Sequence, residues 1–176
     1  MTHAELAAAV RSAALLEGDF TLRSGRKSRF YLDKYLFETR PELLREIARR
    51  FAAHTAGADR LAGPELGGVA LAAATALETG LPFVIVRNSR KEGYGTGRLI
   101  EGRLERGERV VILEDVATSG GQALEAARVL VEHGAGVLRI VAVLDRLEGA
   151  RQNVEAAGFA FESILTARDL GMTPGG

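Results

Sequence analysis

Two acids, two hydroxyls and two glycines fall within one short stretch, as Glu114, Asp115, Thr118, Ser119, Gly120 and Gly121, between the apolar run Val110 to Leu113 and a helix-like segment, 121–133. Hydroxyls and free backbone N–H groups at the start of a helix form an anion site, and glycine lets the backbone approach a phosphate. Carboxylates just upstream would repel a phosphate placed on them, but they suit ribose hydroxyls or a divalent cation. The string as a whole points to a phosphorylated sugar.

Two further segments offer related chemistry. The turn Gly63-Pro-Glu-Leu-Gly67-Gly68 is glycine-rich and follows an apolar run. The segment from Arg87 to Gly97 joins glycines to Arg87, Arg90 and Lys91 and holds no aliphatic anchor. It reads either as a solvated loop or as a cationic lid that neutralises charge building on a leaving group. Neither segment fits the dinucleotide pattern G-x-G-x-x-G after a strand, and the P-loop pattern is absent.

Elements that could hold these loops are visible in the apolar periodicity. Residues 4–16 predict an amphipathic helix stopped near Gly18, and Phe20 to Leu22 with Phe30 to Leu32 predict a hairpin or two strands. Pro41 opens a helix that runs to about His54. Strand and helix then alternate: 60–62, helix 69–78, 83–86, 110–113, helix 121–133, 137–144, helix 148–157 and 159–165. Short apolar runs between amphipathic helices imply an α/β fold with a parallel sheet covered on both faces. Ligands bind such sheets outside the carboxyl ends of the strands, where the three loops lie.

Composition removes several function classes. The 176 residues bury about 70% of their extended surface on folding, enough for one domain without staples. No cysteine is present and His3, His54 and His133 are scattered, which excludes a disulfide scaffold, a thiolate zinc site and a histidine metal cluster, and points to the cytoplasm. Lys and Arg total 23, matching 23 Asp and Glu, so no basic stripe favours nucleic acid. Glu5, Arg11 and Glu17 interrupt the apolar start, which fits neither a signal peptide nor a membrane span.

Leu113-Glu-Asp-Val-Ala-Thr-Ser-Gly-Gly121 resembles the 5-phosphoribosyl 1-pyrophosphate (PRPP) binding motif of type I phosphoribosyltransferases. The turn Ala62 to Val69, the loop from Val86 to Gly102 and Leu144-Asp-Arg146 occur in that family's order, so the likeness spans about residues 5–171. Phe20-Thr-Leu-Arg-Ser-Gly-Arg-Lys-Ser28 narrows it to the orotate phosphoribosyltransferases.

The resemblance implies a type I fold: a mostly parallel sheet flanked by helices, with residues 1–56 as a small N-terminal hood and 57–176 as the PRPP-binding core of a single domain. It implies phosphoribosyl transfer from PRPP to orotate in pyrimidine biosynthesis. By similarity, Glu114 and Asp115 bind the ribose hydroxyls and help hold Mg²⁺ carried with PRPP. Ala117, Thr118, Ser119, Gly120 and Gly121 take the 5-phosphate, and Gly67 and Gly68 belong to the pyrophosphate turn. Lys91, Arg87 and Asp115 are the catalytic set, with Tyr94 at PRPP. Arg23, Phe30, Tyr31, Thr118 and Arg146 match the orotate side. Phe30 and Tyr31 also suit a buried strand pair, and Arg146 an ion pair with Glu148. In the family the loop 87–97 completes the neighbouring subunit's site, which implies a homodimer. The chain departs from the pattern at Asn88, where a lysine is usual, at Arg23, again a usual lysine, and at Tyr94, a usual histidine displaced by one inserted residue. A purine phosphoribosyltransferase and a non-catalytic PRPP-sensing regulator are the alternatives.

Overall fold

The computed structural model describes residues 1–21, 25, 27–89 and 98–172. Helix α1 (His3–Ala14) starts on a reciprocal cap in which the Glu5 N–H donates to Thr2 Oγ1 and the Thr2 N–H donates to Glu5 Oε2. It buries Leu6, Val10 and Ala14 along one stripe. Strands β1 (Leu15–Thr21) and β2 (Lys27–Leu32) pair antiparallel, followed by the short α2 (Tyr35–Glu38) and by α3 (Pro41–Ala52) with proline in its first turn.

The rest of the chain winds as β3 (Arg60–Pro64), α4 (Gly67–Thr79), β4 (Phe83–Val86), β5 (Ile100–Glu101), β6 (Arg109–Ala117), α5 (Gly121–His133), β7 (Gly136–Asp145), α6 (Ala150–Ala156) and β8 (Phe161–Thr166). These strands form one sheet in the order β5-β4-β3-β6-β7-β8. All are parallel except β5, which runs antiparallel to β4. The α/β reading with a mostly parallel central sheet therefore holds.

Side chains alternating along the strands build two cores. Val111 and Leu113 of β6 join Leu6, Phe37, Phe51 and Leu71 on the face covered by α1, α2, α3 and α4. Val110 and Ile112 join Leu124, Leu130 and Val154 on the face covered by α5 and α6. The first 56 residues thus share the core of the sheet.

Several boundaries differ from the sequence reading by a few residues. The first helix stops at Ala14, since Leu15 enters strand pairing with Leu32. Strand β6 runs on to Ala117 instead of ending at Leu113, because its polar residues still pair with β7. The short elements α2 and β5 were not foreseen.

The order places a topological switch between β3 and β6: from β3 the chain proceeds toward β4, and from β6 it proceeds toward β7. Loops leaving adjacent strands in opposite directions open a crevice at their carboxyl ends. Leu113, fully buried in the strand that leads to this crevice, tests the fold's support of it. Leu113→Ala should cost about 2–5 kcal/mol in urea unfolding, whereas Val131→Ala, on the exposed side of α5, should change stability by less than about 0.5 kcal/mol.

Candidate active site

The loop after β6 lies over the switch point. Thr118 and Ser119 are exposed, and Gly120 turns the chain into α5 with a positive φ of 77°, a conformation glycine adopts without strain. No side chain caps α5, so the first-turn N–H groups face a cavity of ≈ 200 Å³ lined by Glu114 and by the loop from Val116 to Gly121. The loop is propped from behind: Asn153 Nδ2 donates to Ser119 O at 2.9 Å, and the Arg146 N–H donates to Ala117 O at 2.9 Å. This is an anion cradle made of neutral donors.

The two acids look in different directions. Glu114 lines the cradle and accepts the Asp115 N–H on Oε1 at 3.1 Å. Burial, then the charge of Asp115, pushes the Glu114 carboxyl well above the usual range. Asp115 faces the hood side. One oxygen accepts the Val116 N–H, and Oδ2 lies 2.6 Å from Lys34 Nζ. Burial pulls the Lys34 ammonium down, but its hydrogen bond and charge contact with Asp115 hold it above its ordinary value. Gly67 closes this corner: a Cβ there would lie 1.7 Å from Asp115 Oδ2 and 3.1 Å from Glu38 Oε1, so only glycine fits. Gly68 follows, buried in the first turn of α4.

The glycine-rich turn after β3 is tied to the other loops through Glu65. Its carbonyl accepts from Gln122 Nε2 at 2.7 Å and from Asn88 Nδ2 at 3.0 Å, while Oε2 accepts the Asn88 N–H at 2.8 Å. Arg87 approaches the same carboxylate at 4.0 Å and Glu101 at 3.9 Å. Asn88, a departure from the family pattern, thus fastens the base of the cationic loop to the turn. Pro64, Arg87, Asn88 and Gln122 line a cavity of ≈ 450 Å³ between them.

On the base side, Phe30 and Tyr31 are 40% and 44% exposed, so they do not form a buried strand pair. Tyr31 packs against Phe20 with ring centroids 5.5 Å apart. Arg146 follows β7 and pairs with Glu148 at 3.0 Å. The next residue, Leu147, has φ 58°, held by its N–H donating to Asp145 Oδ1 at 2.8 Å. Arg23, Lys91 and Tyr94 lie outside the described residues.

Residues 38–167 match the phosphoribosyl transferase domain family. The orotate phosphoribosyltransferase of Natronomonas pharaonis is 50% identical over 171 residues, covering 97% of this chain and 98% of that one. This chain belongs to the orotate phosphoribosyltransferase family. Two solved structures of the Mycobacterium tuberculosis H37Rv orotate phosphoribosyltransferase share its fold. The complex with inorganic phosphate has a TM-score of 0.85 at 33% identity, covering 97% of this chain and 98% of that chain. The complex with PRPP has a TM-score of 0.82 at 32% identity, covering 97% and 99%. The type I phosphoribosyltransferase fold read from the motifs is therefore the fold present.

Lys34, Glu38 and Gln122 carry no motif signal, and only the fold brings them to the site. Glu38 is the most unusual: it is 3% exposed, and its Oε1 has no hydrogen-bond partner among the described residues. Burial pushes its carboxyl up to about 7, Asp115 pushes the same way, and Lys34 opposes both. A carboxyl that binds its proton more tightly folded than unfolded favours the fold fully below its ordinary value of 4.5, and that contribution is lost as pH rises through about 7. Glu38→Gln should therefore flatten the decline in ligand-free stability across this window, as read by urea unfolding at a series of pH values. Parallel pH slopes in the two proteins would contradict the assignment.

Proposed function

We propose that this chain transfers a phosphoribosyl group from PRPP to N1 of orotate, giving orotidine 5-monophosphate and pyrophosphate for pyrimidine biosynthesis. The observation that carries the reading is the uncapped N-terminus of α5, with its Thr118 to Gly121 cradle, set beside two buried acids in a chain of this family. In the reaction the bond from N1 to the anomeric carbon forms as the carbon–oxygen bond to pyrophosphate breaks, with inversion and an oxocarbenium-like transition state. No covalent nucleophile is required.

Each part of PRPP has a matching surface. The cradle takes the 5-phosphate through Ala117, Thr118, Ser119, Gly120 and Gly121. Asp115 and Glu114 accept the ribose hydroxyls. The turn at Gly67 and Gly68 receives pyrophosphate, with Arg87, Lys91 and Tyr94 supplying positive charge and hydrogen bonds as it leaves. Arg23, Phe30, Tyr31, Thr118 and Arg146 hold the anionic base. The donor set also suits Mg²⁺: among the described residues no cluster of three His, Cys, Asp or Glu could hold a metal, while Glu114 lines the cradle and the adjacent Asp115 shares its Oδ2 with the Lys34 ammonium at 2.6 Å. That pattern fits a cation held chiefly by substrate phosphates and water, with Asp115 and Glu114 as the protein's share. When bound, it neutralises charge on the departing pyrophosphate.

The work is assigned to the cytoplasm, in keeping with the cysteine-free sequence. No helix among the described residues is long and apolar enough to cross a membrane. A purine base, the alternative substrate, has no carboxylate to meet Arg146. The decisive assay is base consumption with PRPP and Mg²⁺ in parallel reactions containing orotate, adenine, hypoxanthine or uracil. Turnover restricted to orotate is expected. Turnover of another base would replace the base assignment, and PRPP binding without turnover would favour a sensor.

The loop 87–97 is assigned to the partner's site in a homodimer. Mixing inactive Lys91→Ala and Asp115→Asn proteins should then restore up to about a quarter of the unaltered activity, because half the dimers would carry one intact composite site. No recovery after subunit exchange would place the loop in its own subunit's site.

A further inference from the structure

Three elements with different duties meet at Asp115. Lys34 Nζ reaches its Oδ2 from the hood, Gly67 at the start of α4 presses against the same oxygen, and Glu38 stands beside them with Oε1 unpartnered among the described residues. The Lys34 backbone is well anchored. The Asp33 N–H donates to Ala14 O at 2.9 Å, Asp33 Oδ1 accepts the Tyr35 N–H at 3.1 Å, and Lys34 Nζ sits 5.4 Å from the centre of the Tyr35 ring. Lys34 also stands two residues beyond the end of β2, and β2 carries Phe30 and Tyr31.

Charge on the buried Asp115 disfavours charge on Glu38 beside it, so this corner needs a counter-charge to hold its geometry. Lys34 supplies it, since its ammonium attracts Oδ2 while the Val116 N–H holds the other oxygen. We propose that Lys34 is a positioning residue for the ribose of PRPP: by fixing the Asp115 carboxylate against Glu38, it sets the acceptor for the ribose hydroxyls and links it to the base-side strand β2. The inference rests on the PRPP reading above. Lys34 acts through Asp115, so its removal should damage recognition of ribose and spare recognition of phosphate, which the N-terminus of α5 provides separately.

The test is isothermal titration of the full-length protein with PRPP and, separately, with inorganic phosphate, for the unaltered chain, Lys34→Met and Lys34→Arg. In Lys34→Met the affinity for PRPP should fall by about tenfold or more, while that for phosphate stays within about twofold. Lys34→Arg, which keeps the charge, should recover most of the loss. Should Lys34→Met fail to fold, Lys34→Gln carries the same comparison. Unchanged PRPP affinity in the uncharged variant would overturn the proposal, and so would an equal loss for both ligands, which marks a structural role only. Absence of PRPP binding by the unaltered protein would instead overturn the reading on which the proposal rests.

Discussion

A carboxylate buried at the end of a central strand is the constraint around which the rest is organised. Asp115 is 2% exposed, and an unpaired charge at that depth costs several kcal/mol. A surface aspartate would be cheaper, but water would compete for every hydrogen bond it offered. Burial makes the group a strong and directional acceptor only if the protein supplies its counter-charge and fixes its geometry. Lys34 supplies the first, and the Val116 N–H with the Gly67 backbone supplies the second. The N-terminal part of the chain therefore does more than cover apolar surface: it carries the cation that faces this buried acid.

The sheet makes this meeting possible. Parallel strands deliver their loops to one end, and the reversal of direction between β3 and β6 keeps the crevice open there. Glu65 receives bonds from Asn88 and Gln122, so the turn after β3, the start of the cationic loop and the first turn of α5 are joined in one rim. The ties are made mainly through a backbone carbonyl. They fix loop positions without spending the charged side chains that the anionic substrate needs.

What the sequence made legible was local. Alternating apolar runs and amphipathic helices defined the sheet, and the string from Glu114 to Gly121 marked its own loop because acids, hydroxyls and glycines sit within reach of one another along the chain. Beyond that, burial and distance decide. Lys34 reads as a surface lysine beside an aromatic, since its partner is Asp115, far along the sequence. Glu38 gives no signal at all, since Gly67 and Asp115, which crowd it, are remote in the chain. Polar residues at 114 and 115 look like a strand's end, yet backbone pairing to β7 carries β6 through them. Pairing also explains β5, whose two residues form a strand only because β4 offers an edge. Asn88 reads as a loss of charge, and the fold shows its short amide donating to the carbonyl of Glu65, a residue distant in the chain.

The distribution of charge around the crevice follows from the same buried acids. A lysine within Thr118 to Gly121 would favour the charged form of Glu114, which lines the same cavity, and would pair with it before any phosphate arrived. Backbone N–H groups and hydroxyls cannot be captured in that way: they are dipoles fixed by the helix, attractive to a phosphate and only weakly perturbed by a carboxylate nearby. Cationic side chains are useful only farther out, at Arg87 and Arg146, and there each is already paired or flanked by an acid, Glu65 and Glu101 for one and Glu148 for the other. In the proposed reaction those pairs hold the guanidinium groups in place until an anion of higher charge competes for them. The neutral cradle at the centre and the guarded cations at the rim are thus two answers to one problem, how to bind a polyanion beside carboxylates that the sugar requires.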